Sequence, residues 1–261
     1  MKFFCCCTLF FSTVFSYAQV RMEKLVIRAG SAYELTNSDI MVIDTLIMQD
    51  SARIVLNKSK ADNFIHTKVF RVGNGCSIIG DGTDGENGET GASGYTAVGP
   101  CKNGIPGRSG THGTNGKGGI NLSIYADQMF IASRLLIELS GGDGGDGGRG
   151  GAGGGGSPGT RLCQGGNGGA GGNGAPGGDG ANGGNLTVSC KQCPDLRTWL
   201  GNKLMVRTYG GNAGLGGEGG FGGLAGLISS GSSKDGEQGP KGKAGESGEP
   251  GKTGAINFEQ N

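Results

Sequence analysis

Gly141-Gly142-Asp143-Gly144-Gly145-Asp146-Gly147-Gly148-Arg149-Gly150-Gly151-Ala152-Gly153 opens the stretch that decides how this chain folds. Glycine returns at every third residue from Gly141 to Gly156 and again from Gly165 to Gly183, on either side of the glycine-poor residues 157–164. A period of three fits neither the 3.6 of an α-helix nor the 2.0 of a strand. It fits an extended left-handed helix with three residues per turn, in which every third side chain lies on one face. Glycine on that face lets another backbone come to contact distance. The stretch therefore predicts a pair of antiparallel glycine-rich helices joined at a tip.

Working outward, the same unit recurs. Three tracts, 80–119, 141–184 and 210–254, are nearly equal in length, and each breaks near its middle. A β-type pair precedes each tract, as in Ile78-Ile79, Leu135-Leu136-Ile137 and Leu204-Met205-Val206. A similar strand follows each, as in Asn121-Leu122-Ser123, Asn185-Leu186-Thr187 and Ile256-Asn257-Phe258. Equal excursions from equivalent strands predict three hairpins, six helical arms in all, standing side by side on base segments 120–140, 185–209 and 255–261. Arms of the form Gly-Gly-x can be surrounded, so both arms of the second tract and the arm 210–226 are expected at the centre. The first-tract arms and 236–254 are expected at the periphery, with Lys241, Lys243, Glu246 and Glu249 in water. Such arms make no internal hydrogen bonds, so neighbouring arms or water must satisfy their backbones.

Before Gly73 the only glycine is Gly30. Residues 19–79 carry short runs rich in Val, Ile and Leu (25–27, 33–35, 39–43, 45–48, 53–56 and 68–72) separated by turn residues. The expected fold class is mostly β plus non-regular structure: a β-solenoid-like or small β base carrying a bundle of six polyglycine-II helices in three hairpins.

Residues 1–18 have the form of a secretory signal, with Lys2, an apolar core and a small-x-small end at Ser16-Tyr17-Ala18. No later segment approaches 18 apolar residues, so no membrane span is expected. The protein is expected to be secreted, or held at the cell surface or in the periplasm. Losing Lys2 from the 23 basic residues balances the 22 acidic ones, which gives no nucleic-acid footprint. Five cysteines then remain, Cys76, Cys101, Cys163, Cys190 and Cys193, and in an exported chain disulfides are the default. Cys101 and Cys163 each fall in a tip, and tips at one height on adjacent hairpins would let them pair. Cys76, Cys190 and Cys193 fall near the base and can supply one bridge and one free thiol.

Cys190-Lys191-Gln192-Cys193 has the CxxC spacing of redox motifs and of half a zinc site. It follows a strand and precedes Pro194, with no second CxxC or nearby histidine, so a structural staple is expected. Gly141-Gly142-Asp143 matches the start of a calcium-binding nonapeptide, but Gly148 stands where that repeat needs an aliphatic residue. No nucleophile–base set, carboxylate pair or dinucleotide fingerprint can be assembled, so neither an enzyme nor a cofactor is expected. Asn121-Leu122-Ser123 and Asn185-Leu186-Thr187 are glycosylation sequons in form, and recur because the returning strand recurs.

Residues 236–254, beginning Gly236-Glu237-Gln238-Gly239-Pro240-Lys241, resemble a collagen-like repeat. The whole of 80–254 resembles the polyglycine-II bundles of phage tail-fibre adhesins and of small glycine-rich antifreeze proteins. The resemblance implies an exported, non-enzymatic structural or adhesin-like protein. Its tips, 95–103, 157–164 and 227–235, would present Tyr95, Val98, Arg161, Leu162, Leu227 and Ile228 to an unknown surface ligand, a glycan or a protein. The alternatives are a collagen-like matrix protein that trimerises through 236–254, and an ice-binding protein. The repeat leaves oligomers open.

Overall fold

The computed structural model describes residues 21–193, 196–228 and 234–259. The expected signal segment and the early cysteines Cys5, Cys6 and Cys7 lie outside them, as do Pro194 and part of the third tip. Among the described residues eleven strands form two parallel sheets. The six-stranded sheet runs β1 (Arg21–Ile27), β3 (Ile40–Met48), β5 (Asp62–Val72), β7 (Asn121–Ile131), β9 (Leu186–Cys190), β11 (Ile256–Glu259). The five-stranded sheet runs β10 (Leu204–Arg207), β8 (Leu135–Glu138), β6 (Cys76–Ile79), β4 (Arg53–Val55), β2 (Ala32–Glu34).

The chain alternates between the two sheets, and each pass stacks on the one before. In-register pairing then builds apolar columns: Met41, Ile65, Ile124, Val188 and Phe258 across one sheet, and Ile54, Ile78, Ile137 and Val206 across the other. Inward-facing members such as Ile54, Ile65, Ile78, Ile124 and Ile137 are fully buried between the sheets. Burying one such side chain stabilises by about 1.5–3 kcal/mol.

Alternation is interrupted once in each long strand. Pairing steps from Ile43–Thr67 to Thr45–Val69, and from Thr67–Ala126 to Val69–Gln128, passing over Asp44, Lys68 and Asp127. These residues stack as charges on the outer surface, with Lys68 bound to Asp44 at 3.0 Å and Lys191 to Asp127 at 2.8 Å. At the corner that leads from the larger sheet to the smaller, Gly30, Ser51 and Gly75 take positive φ of 69°, 58° and 64° on successive passes. Glycine takes that conformation at no steric cost.

The opposite corner is where the passes differ. Residues 35–39 and 56–61 make it directly. On the next three passes the glycine tracts are inserted there. Each leaves from β6, β8 or β10 and returns to β7, β9 or β11. Outgoing segments thus extend the smaller sheet and returning segments the larger.

The structure corrects the expected fold class. Among the described residues the only helix is the single 3-10 turn Leu196–Trp199, and the base is two extensive parallel sheets. The six polyglycine-II helices of the expectation are absent as helices among the described residues, and the chain is a parallel-sheet fold with extended glycine segments. Each segment donates to its neighbours and none to itself. The physical reason for the sheets is that in-register apolar columns bury their side chains between the two parallel sheets.

The lateral bonds repeat every three residues. Gly82, Gly85 and Gly88 donate to the carbonyls of Ser140, Asp143 and Asp146 at 2.7 Å. Gly144 and Gly147 donate to Asn212 and Leu215 at 2.8 Å. Returning segments do the same, as in Gly168 to Glu237 at 2.8 Å and Gly171 to Pro240 at 2.9 Å. Between the layers the bonds run antiparallel, as in Arg108 to Ala92 at 2.8 Å and Gly217 to Ala175 at 2.8 Å. The second-tract segments are flanked on both sides within their layers. The segment 210–226 was expected at the centre but lies at an edge, with its third face open. Lys241, Lys243, Glu246 and Glu249 are exposed.

Candidate binding surface at the tips

The three tips are braced against one another. Cys101 and Cys163 form a disulfide with Cα atoms 6.0 Å apart, linking the first tip to the second. The Cys101 amide donates to the Pro158 carbonyl at 2.9 Å, and the Ser157 hydroxyl to the Ala97 carbonyl at 2.6 Å. Cys101 itself takes a φ of 63° and Gly99 one of 99°, which turns the first tip sharply. The second tip is bound in turn to the third. The Gly159 amide donates to Leu227 at 3.2 Å, Gly165 to Lys234 at 2.9 Å, and the Gln164 side chain to the Asp235 carbonyl at 2.9 Å. The Asp235 carboxylate closes the third tip by accepting from the Ile228 amide at 2.7 Å.

Held this way, apolar side chains project into water. Leu162 is 97% and Val98 88% exposed. Tyr95 and Leu227 are about two-thirds exposed, and Arg161 is exposed. Ile228 differs from expectation: it is half-buried, because its side chain covers the open face of Gly159. A polar recess of about 380 Å³ lies beside the disulfide, lined by Asn103, Gln164, Asn167 and Glu237. It offers amide and carboxylate groups suited to hydrogen-bonding hydroxyls.

The remaining cysteines sit at the base. Cys190 and Cys193 are joined and buried, stapling the turn that carries the chain from β9 towards β10. Cys76 is a buried free thiol. Burial pushes its pKa up, against smaller opposing hydrogen bonds from backbone amides.

One set of functional side chains escapes a motif search. Asn and Asp residues on one segment accept the amide of a non-glycine residue on the next. Asn103 accepts from Asn167 at 2.8 Å, and Asn167 from Glu237 at 2.9 Å. Asn115 accepts from Asp179, which accepts from Glu249, both at 2.8 Å. Asn121, Asn185 and Ala255 form another such relay, and so do Asp84, Asp143 and Asn212. Asp143 and Asp146, which begin the calcium-like motif, are used this way, as are both sequon asparagines. The available signal was the recurrence of Asn or Asp at matching offsets in successive tracts. No family model, curated protein or solved structure matches the chain.

Proposed function

We propose that this is an exported, non-enzymatic, adhesin-like structural protein that presents its tips to a surface ligand, a glycan or a protein. The observation that carries the proposal is the pair Val98 and Leu162, both almost fully exposed beside the Cys101–Cys163 bridge. Exposed apolar side chains on a fixed loop lose little freedom when they bind, which favours recognition over a mobile turn. Two disulfides among the described residues support an oxidising destination. No helix of the described residues is long and apolar enough to cross a membrane. The collagen-like alternative has less support, since glycines of 236–254 donate within the chain, as in Gly242 to Gly220 at 2.9 Å.

The test is a screen of residues 19–261 on a glycan array and on extracellular-matrix proteins. A Val98→Asp, Leu162→Asp double variant, with both disulfides verified by mass, should lose at least about tenfold in affinity for any ligand found. Undiminished binding by that variant would refute presentation by the tips.

A further inference from the structure

The segment that leads from β10 to the third tip carries an apolar row. Tyr209, Leu215, Phe221, Leu224 and Leu227 are 62% to 74% exposed. Their spacing is a multiple of three, and the carbonyl of each bonds to the same neighbouring segment, through Gly141, Gly147, Gly153, Gly156 and Gly159. All five side chains therefore stand on one face. Non-glycine positions of the other segments carry mainly Asp, Asn, Thr, Glu and Lys. An apolar row of this length on an exposed surface marks an interaction site.

The geometry points to a second copy of this chain as its occupant, in a parallel homodimer whose two-fold axis runs along the segments. Three observations favour that partner. First, a two-fold axis in this direction sets each residue against its twin at the same height. Leu215, Phe221, Leu224 and Leu227 then each meet an apolar partner, as an isologous interface requires. The antiparallel alternative, centred on Glu218, would set Asn212 against Leu224. Second, the one acidic residue in the row, Glu218, is ion-paired with Arg149 of the adjacent segment. Across the axis each Glu218 would meet its twin, and the Arg149 beside each offsets the like charges. Third, the area suffices. Side chains of this size, about two-thirds exposed, offer on the order of 100 Å² each. The row thus supplies roughly 500 Å² per copy, and Arg149, Glu218 and Lys241 at its margin bring it towards the ~800 Å² per partner of a stable interface. Lys241 lies 5.2 Å from the centre of the Phe221 ring, where it shields one side and leaves the other for the twin.

The inference does not depend on what the tips bind. Light scattering on residues 19–261 should give twice the chain mass at tens of micromolar. A Leu215→Asn, Phe221→Asn double variant should be monomeric, with unchanged circular dichroism and both disulfides intact. Single Leu215→Cys and Leu224→Cys variants, oxidised with diamide, should each give a self-linked dimer on a non-reducing gel. Only the parallel arrangement places both positions against their twins. A monomer at 100 µM, a trimer, or a dimer that survives the double variant would overturn the inference. So would a monomer that co-floats with phosphatidylcholine vesicles through Phe221, which would assign the row to a lipid surface.

Discussion

Replacing Gly168 by alanine tests whether the glycine segments are packed or merely adjacent. A methyl group there would overlap the carbonyl oxygen of Gly223 and crowd the amide of Gly239. Relief requires moving the segment 210–226 or 236–254 away from 165–184. That strains three bonds: Gly168 to Glu237, Gly223 to Gly169, and Gly239 to Gly223, of 2.8–2.9 Å. At about 1 kcal/mol net each they contribute about 3 kcal/mol. Overpacking adds about 1–3 kcal/mol, and the reduced freedom of the unfolded chain returns about 0.4–1 kcal/mol. The expected loss is therefore about 3–5.6 kcal/mol, a fall in Tm of roughly 6–22 °C for a chain of this size. Gly118 is the control. Its nearest neighbour to an added methyl is the Asn182 carbonyl at 3.5 Å, an ordinary contact. Gly118→Ala should be neutral or stabilising by up to about 1 kcal/mol. Thermal unfolding followed by circular dichroism, with disulfides intact, measures both. If the two variants differ by less than about 1 kcal/mol, the segments are not in the contact described.

Three further outcomes are expected. Joint replacement of Cys101 and Cys163 by serine opens a loop of sequence separation 62, which should lower stability by about 4 kcal/mol in the chain-entropy model and shift the guanidinium midpoint. The hydrogen bond and charge of Lys191 hold the Asp127 carboxyl below its ordinary 3.8. Its contribution to stability is complete above that value and is lost as pH falls through the lower folded one; Lys191→Met should move the Asp127 titration up towards 3.8 by NMR. Burial raises the Cys76 thiol, so iodoacetamide at pH 8 should modify it only on unfolding, and labelling of the native protein within minutes would contradict its enclosure.

Glycine density made the ends of each tract legible, because β6, β8 and β10 end within a few residues of where glycine becomes periodic. The sheets were harder to read. Strands such as β5 and β7 change face at Lys68 and Asp127, so the alternation that would identify an eleven-residue strand appears as two shorter ones. Parallel pairing is also non-local, since β5 and β7 are neighbours in space with a whole tract between them. The period of three was legible, and so was the need for bonding partners outside each segment, but it was taken for helices because it fixes only which faces lack side chains. Glycine dosage misplaced 210–226 for a similar reason. Gly-Gly-x permits neighbours on two faces, but none of the described residues covers its outer side. Tyr95, Val98, Arg161, Leu162 and Leu227 were legible as tip residues from the breaks in period, whereas the Asn and Asp relays became visible only once the segments stood side by side.

Those relays answer a problem that a glycine lattice poses. A segment of Gly-Gly-x repeats can slide by three residues against its neighbour and recover nearly every backbone bond. Unique register must therefore come from elsewhere. At one end the strands supply it, because a shift in β7 or β9 would move Ile124 or Val188 out of its column. At the other end the Cys101–Cys163 bridge and the bonds among the tips supply it. In between, the relays stand at uneven intervals along the returning layer, at Asn103, Asn115 and Asn121. A slide by three would set Asn103 opposite Gln164 or Ala170 instead of Asn167, and Asn115 opposite Pro176 or Asn182 instead of Asp179. Pro176 has no amide to donate. Asn167 or Asn173 would likewise meet Pro240. Each relay bond contributes only about 0.5–1.5 kcal/mol to stability, and a slipped arrangement loses those that fall on a proline. The strands, the tip bridge and the prolines that interrupt the glycines thus make one register out of many.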